Sequence, residues 1–136
     1  MRSTAVSVKL ELTRRPTEGC PVVFEVKEQQ PRGATRVYAL VGELDLATAP
    51  NFRDALFAAV RSGARRLVLD LADLTFIDAT GIGALLAVRQ LAMASDGALA
   101  VANVSTHVAR IFHVTGVAGP LNMRRSVDQA AAAVAE

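Results

Sequence analysis

Starting with the predicted strand that ends at Gly42, short β-prone runs alternate with longer segments whose apolar residues recur at helical spacing. The predicted strands are short and largely apolar, and they lie at 37–41, 65–71, 98–102 and 121–123. Helices are predicted after Thr48, over 79–95, after Ser105 and after Ser126, where Gln129 completes a capping box. This alternation predicts right-handed crossovers, and therefore an α/β domain with a mixed, mainly parallel central sheet and about four helices.

The residues before this alternation carry a different pattern. Apolar and polar residues alternate from Val6 to Leu12, which predicts an extra N-terminal strand with one apolar face. Two prolines and a glycine within 13–21 indicate a turn or linker. A second strand is predicted at 22–27, and Pro31 to Gly33 is expected to turn the chain.

Length and composition predict one domain without a membrane span. A chain of 136 residues has a common domain size, and no apolar run approaches the roughly 18 residues of a transmembrane helix. Because the N-terminus lacks a signal-like apolar core and Cys20 is the only cysteine, we expect a cytoplasmic protein. We divide the chain into an N-terminal extension, 1–20, and a domain, 21–136. A strand in the extension could also pair two copies as a homodimer.

The charge pattern does not favour direct nucleic-acid binding. The formal net charge is +2 at pH 7, and the arginines come in scattered pairs rather than in one basic run. Few aromatic residues are present, and none is interleaved with the basic pairs as a stacking platform would require.

Residues that could carry catalysis do not form a recognisable site. Asp70 ends a strand, as the phosphoacceptor of a response-regulator receiver does, but no lysine follows Lys27, and this also removes a Walker-type phosphate loop. His107 and His113 do not have the i, i+4 spacing of a metal-binding pair. Helix caps and turns explain most aspartates at strand ends. We therefore expect no enzyme activity, no metal and no cofactor.

Residues 78 to 83, with the sequence Asp-Ala-Thr-Gly-Ile-Gly, enter the second helix from a loop. Thr80 places a hydroxyl group in the first turn. Gly81 and Gly83 each cost roughly 1 kcal/mol relative to alanine inside a helix. Two such glycines indicate that something approaches the backbone closely. We favour a functional surface, with tight packing of the helix on the sheet as the alternative.

The same segment resembles the phosphorylation motif of bacterial anti-sigma factor antagonists, which are STAS-domain proteins. Gly42 to Asp45, followed by Ala49-Pro50, is similar to the second signature of this family, and Phe112 to Val117 is similar to the third. On these three motifs, in the expected order, the chain is identified as a member of the family. The resemblance implies a four- or five-stranded sheet with helices.

The resemblance also implies a function. Members bind an anti-sigma factor, often a serine/threonine kinase of the GHKL type; phosphorylation breaks the complex and a phosphatase restores it. Carried over by position, Thr80 is the phosphoacceptor, and the partner-binding residues are Asp45, Asp78, Thr80, Gly81, Ile82 and Gly83. Ala79 departs from the motif, because many members carry a second hydroxyl group there.

Other functions are compatible with the resemblance to different degrees. The chief alternative is a non-catalytic accessory subunit of a lipid-transport ABC ATPase. The cytosolic part of an anion transporter is not expected, because the sequence contains no membrane span. A nucleotide-binding domain is a third reading, without a phosphate loop to support it.

Overall fold

The computed structural model describes residues 7–13 and 21–135. The strands within that part of the chain are β1 (Ser7–Thr13), β2 (Pro21–Arg32), β3 (Thr35–Leu44), β4 (Arg66–Asp70), β5 (Leu74–Ile77), β6 (Ala98–Ala102) and β7 (Met123–Arg124). The helices are α1 (Ala49–Arg61), α2 (Ala79–Ala94), α3 (Thr106–Thr115) and α4 (Val127–Val134). No helix among these is long and apolar enough to cross a membrane.

The strands form one mixed sheet in the order β1, β2, β3, β4, β6, β7. The pairs β1–β2 and β2–β3 are antiparallel, whereas β3–β4, β4–β6 and β6–β7 are parallel. The short strand β5 pairs in parallel with the last residues of β3, opposite Gly42 to Leu44. The predicted α/β class is confirmed, and β1 confirms the extra N-terminal strand, although Val6 lies outside the described residues. The division at residue 20 and the homodimer stay predictions.

Three helices pack in one core and the fourth packs in another. The larger core joins α1, α2 and α3 to the sheet through buried side chains such as Leu56, Leu85 and Phe112. The smaller core consists of Val37, Val68, Ala100, Ala102, Val127, Ala130, Ala131 and Val134, which pack α4 against β3, β4 and β6. Because β3, β4, β6 and β7 are parallel, the loops that follow them gather at one edge of the sheet, where ligands and partners commonly bind in open α/β sheets.

Three strand assignments differ from the prediction. The turn expected at Pro31 to Gly33 is displaced, because β2 continues to Arg32 and accommodates Pro31 at an irregularity of its pairing. Gly33 lies in the actual turn, with a φ of 62°. The last strand is Met123–Arg124 rather than 121–123, because Leu121 donates its N–H to Val117 O within a turn, at 2.9 Å. Strand β5 is absent from the prediction.

Two helix starts fall where predicted but are built differently. Thr48 precedes α1, yet its hydroxyl group does not cap the helix and instead donates to Glu43 O at 2.7 Å. The Ser126 Oγ caps α4 by accepting from Gln129 N–H at 3.1 Å. The Gln129 side chain, however, accepts from the N–H of Arg125 and not from that of Ser126, at 3.3 Å. The reciprocal half of the capping box is therefore shifted by one residue.

Candidate functional site

The N-terminus of α2 presents the predicted phosphoacceptor to solvent. Asp78 occupies the N-cap in an extended conformation, and its Oδ1 accepts from Gly81 N–H at 3.0 Å. Ala79 and Thr80 follow in the first turn, and both are exposed. The N–H groups of a first turn have no partner within the helix, and the positive end of the helix dipole lies beside them. The hydroxyl group of Thr80 is thus accessible at a position that suits an attached anion.

The two glycines of the motif have different environments. A Cβ atom at Gly81 would come within 2.8 Å of Ile77 Cγ1 and closer still to the backbone oxygen of Leu44. Gly81 is therefore required by packing against the end of β3, which is the structural alternative considered above. A Cβ atom at Gly83 would meet nothing within 4 Å, and this residue is exposed. Only Gly83 leaves open space that a partner could approach.

Asp45 organises the loop between β3 and α1. Its side chain is only 6% exposed, and its Oδ1 accepts from Ala47 N–H at 3.0 Å and from Thr48 N–H at 3.2 Å. The Thr48 hydroxyl group also accepts from Asp45 N–H at 3.0 Å. Asp45 therefore holds the loop in shape from within and offers little surface of its own. A direct contact between Asp45 and a partner stays a prediction.

The loop and the helix start are joined through the end of β3. Asp78 donates its N–H to Leu44 O at 3.3 Å, and Ile77 pairs with Leu44 in the sheet. Gly81 packs on the same carbonyl group, and Ile82 is buried in the core behind it. The loop after β3 and the first turn of α2 therefore form one continuous surface with a common backbone support.

Two exposed apolar side chains belong to the loop and the strand that adjoin this surface, and the motifs do not include them. Leu46 is 72% exposed in the loop after β3, and Phe76 of β5 is 42% exposed. Phe76 is paired with Glu43, one residue before Leu44. We call the surface formed by Leu46, Phe76, Asp78, Thr80 and Gly83 the docking surface. Aromatic side chains such as Phe76 are enriched in protein-binding sites relative to the rest of a protein surface.

The sequence could have indicated one of these two residues. A leucine between Asp45 and Ala47, in a loop, has no helix or strand partner to cover it. Phe76 gave no such signal, because the strand that exposes it was not predicted. Neither residue is among the partner-binding residues predicted from the sequence, so both are additions from the structure.

The remaining predicted features have structural roles. Phe112, in the third signature, is fully buried, and Gly116 ends α3 in the left-handed conformation with a φ of 78°. Asp70 accepts from Ala72 N–H and from Asn103 Nδ2, each at 3.1 Å, and so links two loops. His107 and His113 are exposed. Across 7–13 and 21–135, no three His, Cys, Asp or Glu residues are grouped so that they could hold a metal ion.

A perturbed ionisable pair lies away from the docking surface. Burial raises the pKa of the Tyr38 phenol, and its hydrogen bond with the Arg36 side chain opposes this in part. The same hydrogen bond raises the pKa of Arg36. Both residues line a groove of about 220 Å³ that also includes residues of β2 and α1. Their position points to a role in packing rather than in the candidate site.

Known proteins resemble this chain in sequence and in structure. The STAS domain family matches residues 25–130. The anti-sigma-B factor antagonist of Bacillus subtilis is 31% identical over 78 residues, covering 57% of this chain and 71% of the relative. The antagonist of the same name from Staphylococcus aureus is 25% identical over 87 residues, covering 64% of this chain and 81% of the relative.

Among solved structures, the anti-sigma factor antagonist SpoIIAA in its unphosphorylated form is 26% identical, with a TM-score of 0.66 over 79% of this chain and 92% of that one. These matches agree with the three sequence motifs and with the α/β sheet described above. The chain therefore belongs to the STAS-domain family of anti-sigma factor antagonists.

Proposed function

We propose that this protein binds a GHKL-type serine/threonine kinase that acts as an anti-sigma factor, and that phosphorylation of Thr80 dissociates the complex. The observation that carries the proposal is the exposed Thr80 in the first turn of α2, whose start is joined through Leu44 to the loop and the strand that carry the exposed Leu46 and Phe76. In this proposal the protein acts in the cytoplasm and supplies no catalytic group, since the kinase holds the phosphoryl donor. A phosphatase returns it to the binding state.

Leu46 and Phe76 give the unphosphorylated protein its affinity. Fully burying a leucine or phenylalanine side chain contributes about 1.5–3 kcal/mol, and aromatic residues often dominate interface energies. The backbone on both sides of the surface is fixed by the Asp45 hydrogen bonds and by the pairing of β5 with β3. Because the surface is held in one shape before binding, little conformational entropy is lost on docking.

Phosphate on Thr80 would oppose docking through charge and desolvation. A phosphothreonine carries about −1.5 to −2 charges at pH 7, and Asp78 already contributes a carboxylate two residues away. The first-turn N–H groups of α2 can donate hydrogen bonds to the phosphate without any change of fold. The relative SpoIIAA, 25% identical with a TM-score of 0.61 over 79% of this chain and 96% of that one, has a structure in the phosphorylated form. This supports a phosphorylated state of the same fold.

Thr80 substitutions test the proposal directly. Thr80→Ala should bind the kinase as the wild type does and resist phosphorylation, because it removes the hydroxyl group without adding charge. Thr80→Glu should fold, since a carboxylate is favoured in a first turn, but should bind about 2 kcal/mol more weakly, or roughly thirtyfold in Kd. The measurements are calorimetric titration with a candidate GHKL-type anti-sigma kinase without ATP, and mass spectrometry after incubation with kinase and ATP.

A matched control separates local charge from net charge. Gln90→Glu adds one carboxylate on the exposed side of the same helix, about 15 Å along the axis from Thr80. It should leave the Kd unchanged. Equal affinities of wild type and Thr80→Glu, or a phosphate on Ser62 or Thr115 in place of Thr80, would contradict the proposed switch.

A further inference from the structure

A second site of interest lies at the carboxyl ends of β6 and β7. A cavity of about 530 Å³ opens there between the starts of α3 and α4, and it is lined by Asn103, Val104, Ala109, Met123, Arg124, Arg125 and Gln129. None of these residues belongs to the docking surface. The volume falls within the range of pockets that hold small organic ligands.

Two guanidinium groups supply the charge of this cavity. Arg124 and Arg125 are exposed, and neither forms an ion pair with a carboxylate in the part of the chain that the structure describes. By contrast, Arg32 is paired with Asp128 on the surface, with 2.9 Å between Nε and Oδ1. Two adjacent cations that are not engaged in ion pairs, at the rim of a concave site, favour an anionic ligand.

The Gln129 side chain also favours donation to an anion, whereas Asn103 shapes the cavity. The Gln129 side-chain oxygen accepts from Arg125 N–H at 3.3 Å, so its NH₂ group is left to donate. Asn103 stands in the left-handed conformation, with a φ of 57°, and donates its Nδ2 to Asp70 at 3.1 Å. That bond fixes the loop after β6 and so fixes one side of the cavity.

The rest of the lining is apolar. Val104, Ala109 and Met123 form a wall that an inorganic anion alone would leave uncovered. A phosphate monoester carries about −1.5 to −2 charges at pH 7, which matches two guanidinium groups, and their planar forks suit its oxygens. We propose that this cavity binds a small organic phosphate monoester, with the phosphate held by Arg124 and Arg125 and the organic part packed against the apolar wall.

Phenyl phosphate is a suitable probe, because it combines a phosphate monoester with a compact apolar body. Titrated into the full chain, it should shift the backbone amide NMR signals of 103–104, 109, 123–125 and 129 in a saturable way. Phenol and inorganic phosphate should each bind at least about tenfold more weakly, since each lacks one half of the recognition. These experiments need no anti-sigma partner, so their outcome is independent of the proposed function.

Variants connect the binding to the arginine pair. Arg124→Gln combined with Arg125→Gln should weaken binding of phenyl phosphate by about tenfold or more while the circular dichroism spectrum stays unchanged. The matched control combines Arg53→Gln and Arg65→Gln, which removes the same charge from exposed positions outside the cavity. Equal losses in both double variants, equal affinity for phenol or inorganic phosphate, or amide shifts outside the cavity would overturn the proposal.

Discussion

Replacing Gly81 with alanine should destabilise the fold, whereas the same change at Gly83 should not. An added Cβ at Gly81 would meet the Leu44 carbonyl oxygen, the Leu44 Cγ at 3.0 Å and the Ile77 Cγ1 at 2.8 Å. The carbonyl group belongs to the end of β3 and accepts from Asp78 N–H, so it cannot move without disturbing the start of α2. At Gly83 the added Cβ would enter open space.

The magnitudes follow from two opposing terms. Overpacking costs about 1–3 kcal/mol, and the rigid backbone neighbour at Gly81 places that position near the upper end. Alanine gains about 1 kcal/mol over glycine in a helix, so Gly81→Ala should lose about 2 kcal/mol net. Gly83→Ala should gain up to about 1 kcal/mol, because only the helix term applies there.

Urea unfolding followed by circular dichroism measures both changes. With a slope of about 2 kcal/mol per M, the midpoint of Gly81→Ala should fall by about 1 M and that of Gly83→Ala should rise by up to about 0.5 M. A Gly81→Ala protein as stable as the wild type would refute the packing argument. If Gly83 leaves room for the partner, Gly83→Ala should also bind the kinase more weakly despite its greater stability.

Changes at three further positions test other parts of the structure. Asp78→Ala should lose about 1 kcal/mol of stability with the N-cap, whereas Asp78→Asn should stay folded and lose most phosphorylation by kinase and ATP; phosphorylation of Asp78→Asn at the wild-type rate would limit this residue to capping. Asp45→Ala leaves two loop N–H groups without their acceptor and should cost about 2 kcal/mol in urea unfolding, whereas an unchanged midpoint would remove its role in the loop. Tyr38 is the only tyrosine, so its ultraviolet absorbance reports one group, which should titrate above its ordinary pKa of 10.0. Since the folded protein favours the neutral phenol, this contribution to stability should be complete below pH 10 and should fall as pH rises through the folded pKa; Tyr38→Phe should lack that dependence.

Much of the fold could be predicted because local signals and burial agree. Residues 98–102 form β6 as expected, since a five-residue apolar run that follows a turn is too short for a helix and is consistent with a buried strand. Ser105 and Asp78 cap α3 and α2 through their side chains, as their positions before apolar helices predict. The glycine after α3 ends that helix in the conformation that glycine favours.

The features that escaped prediction depend on distant parts of the chain. Strand β5 has only four residues, and its pairing with β3 bridges about thirty residues of sequence. Thr48 does not cap α1 because its hydroxyl group donates to the carbonyl group of Glu43, five residues earlier. No local sequence pattern predicts that hydrogen bond. The exposure of Phe76 results from its place in β5, so it could not be predicted while that strand was missing from the prediction. The glycines could be noticed in the sequence, but only the position of Leu44 separates the packing role of one from the open site of the other.

Partner binding and folding stability depend on different side chains in this protein, so one can change without the other. The side chains of Leu46 and Phe76 stand outside the cores, on backbone that Asp45 and the β3–β5 pairing hold in place. If the proposed function holds, substitutions at these two positions should therefore change which anti-sigma factor is bound while leaving the scaffold intact. A duplicated copy could acquire a separate partner through a few such changes, without first having to gain stability. Two copies of the same fold in one cell would then bind different partners because they differ at these two surface side chains.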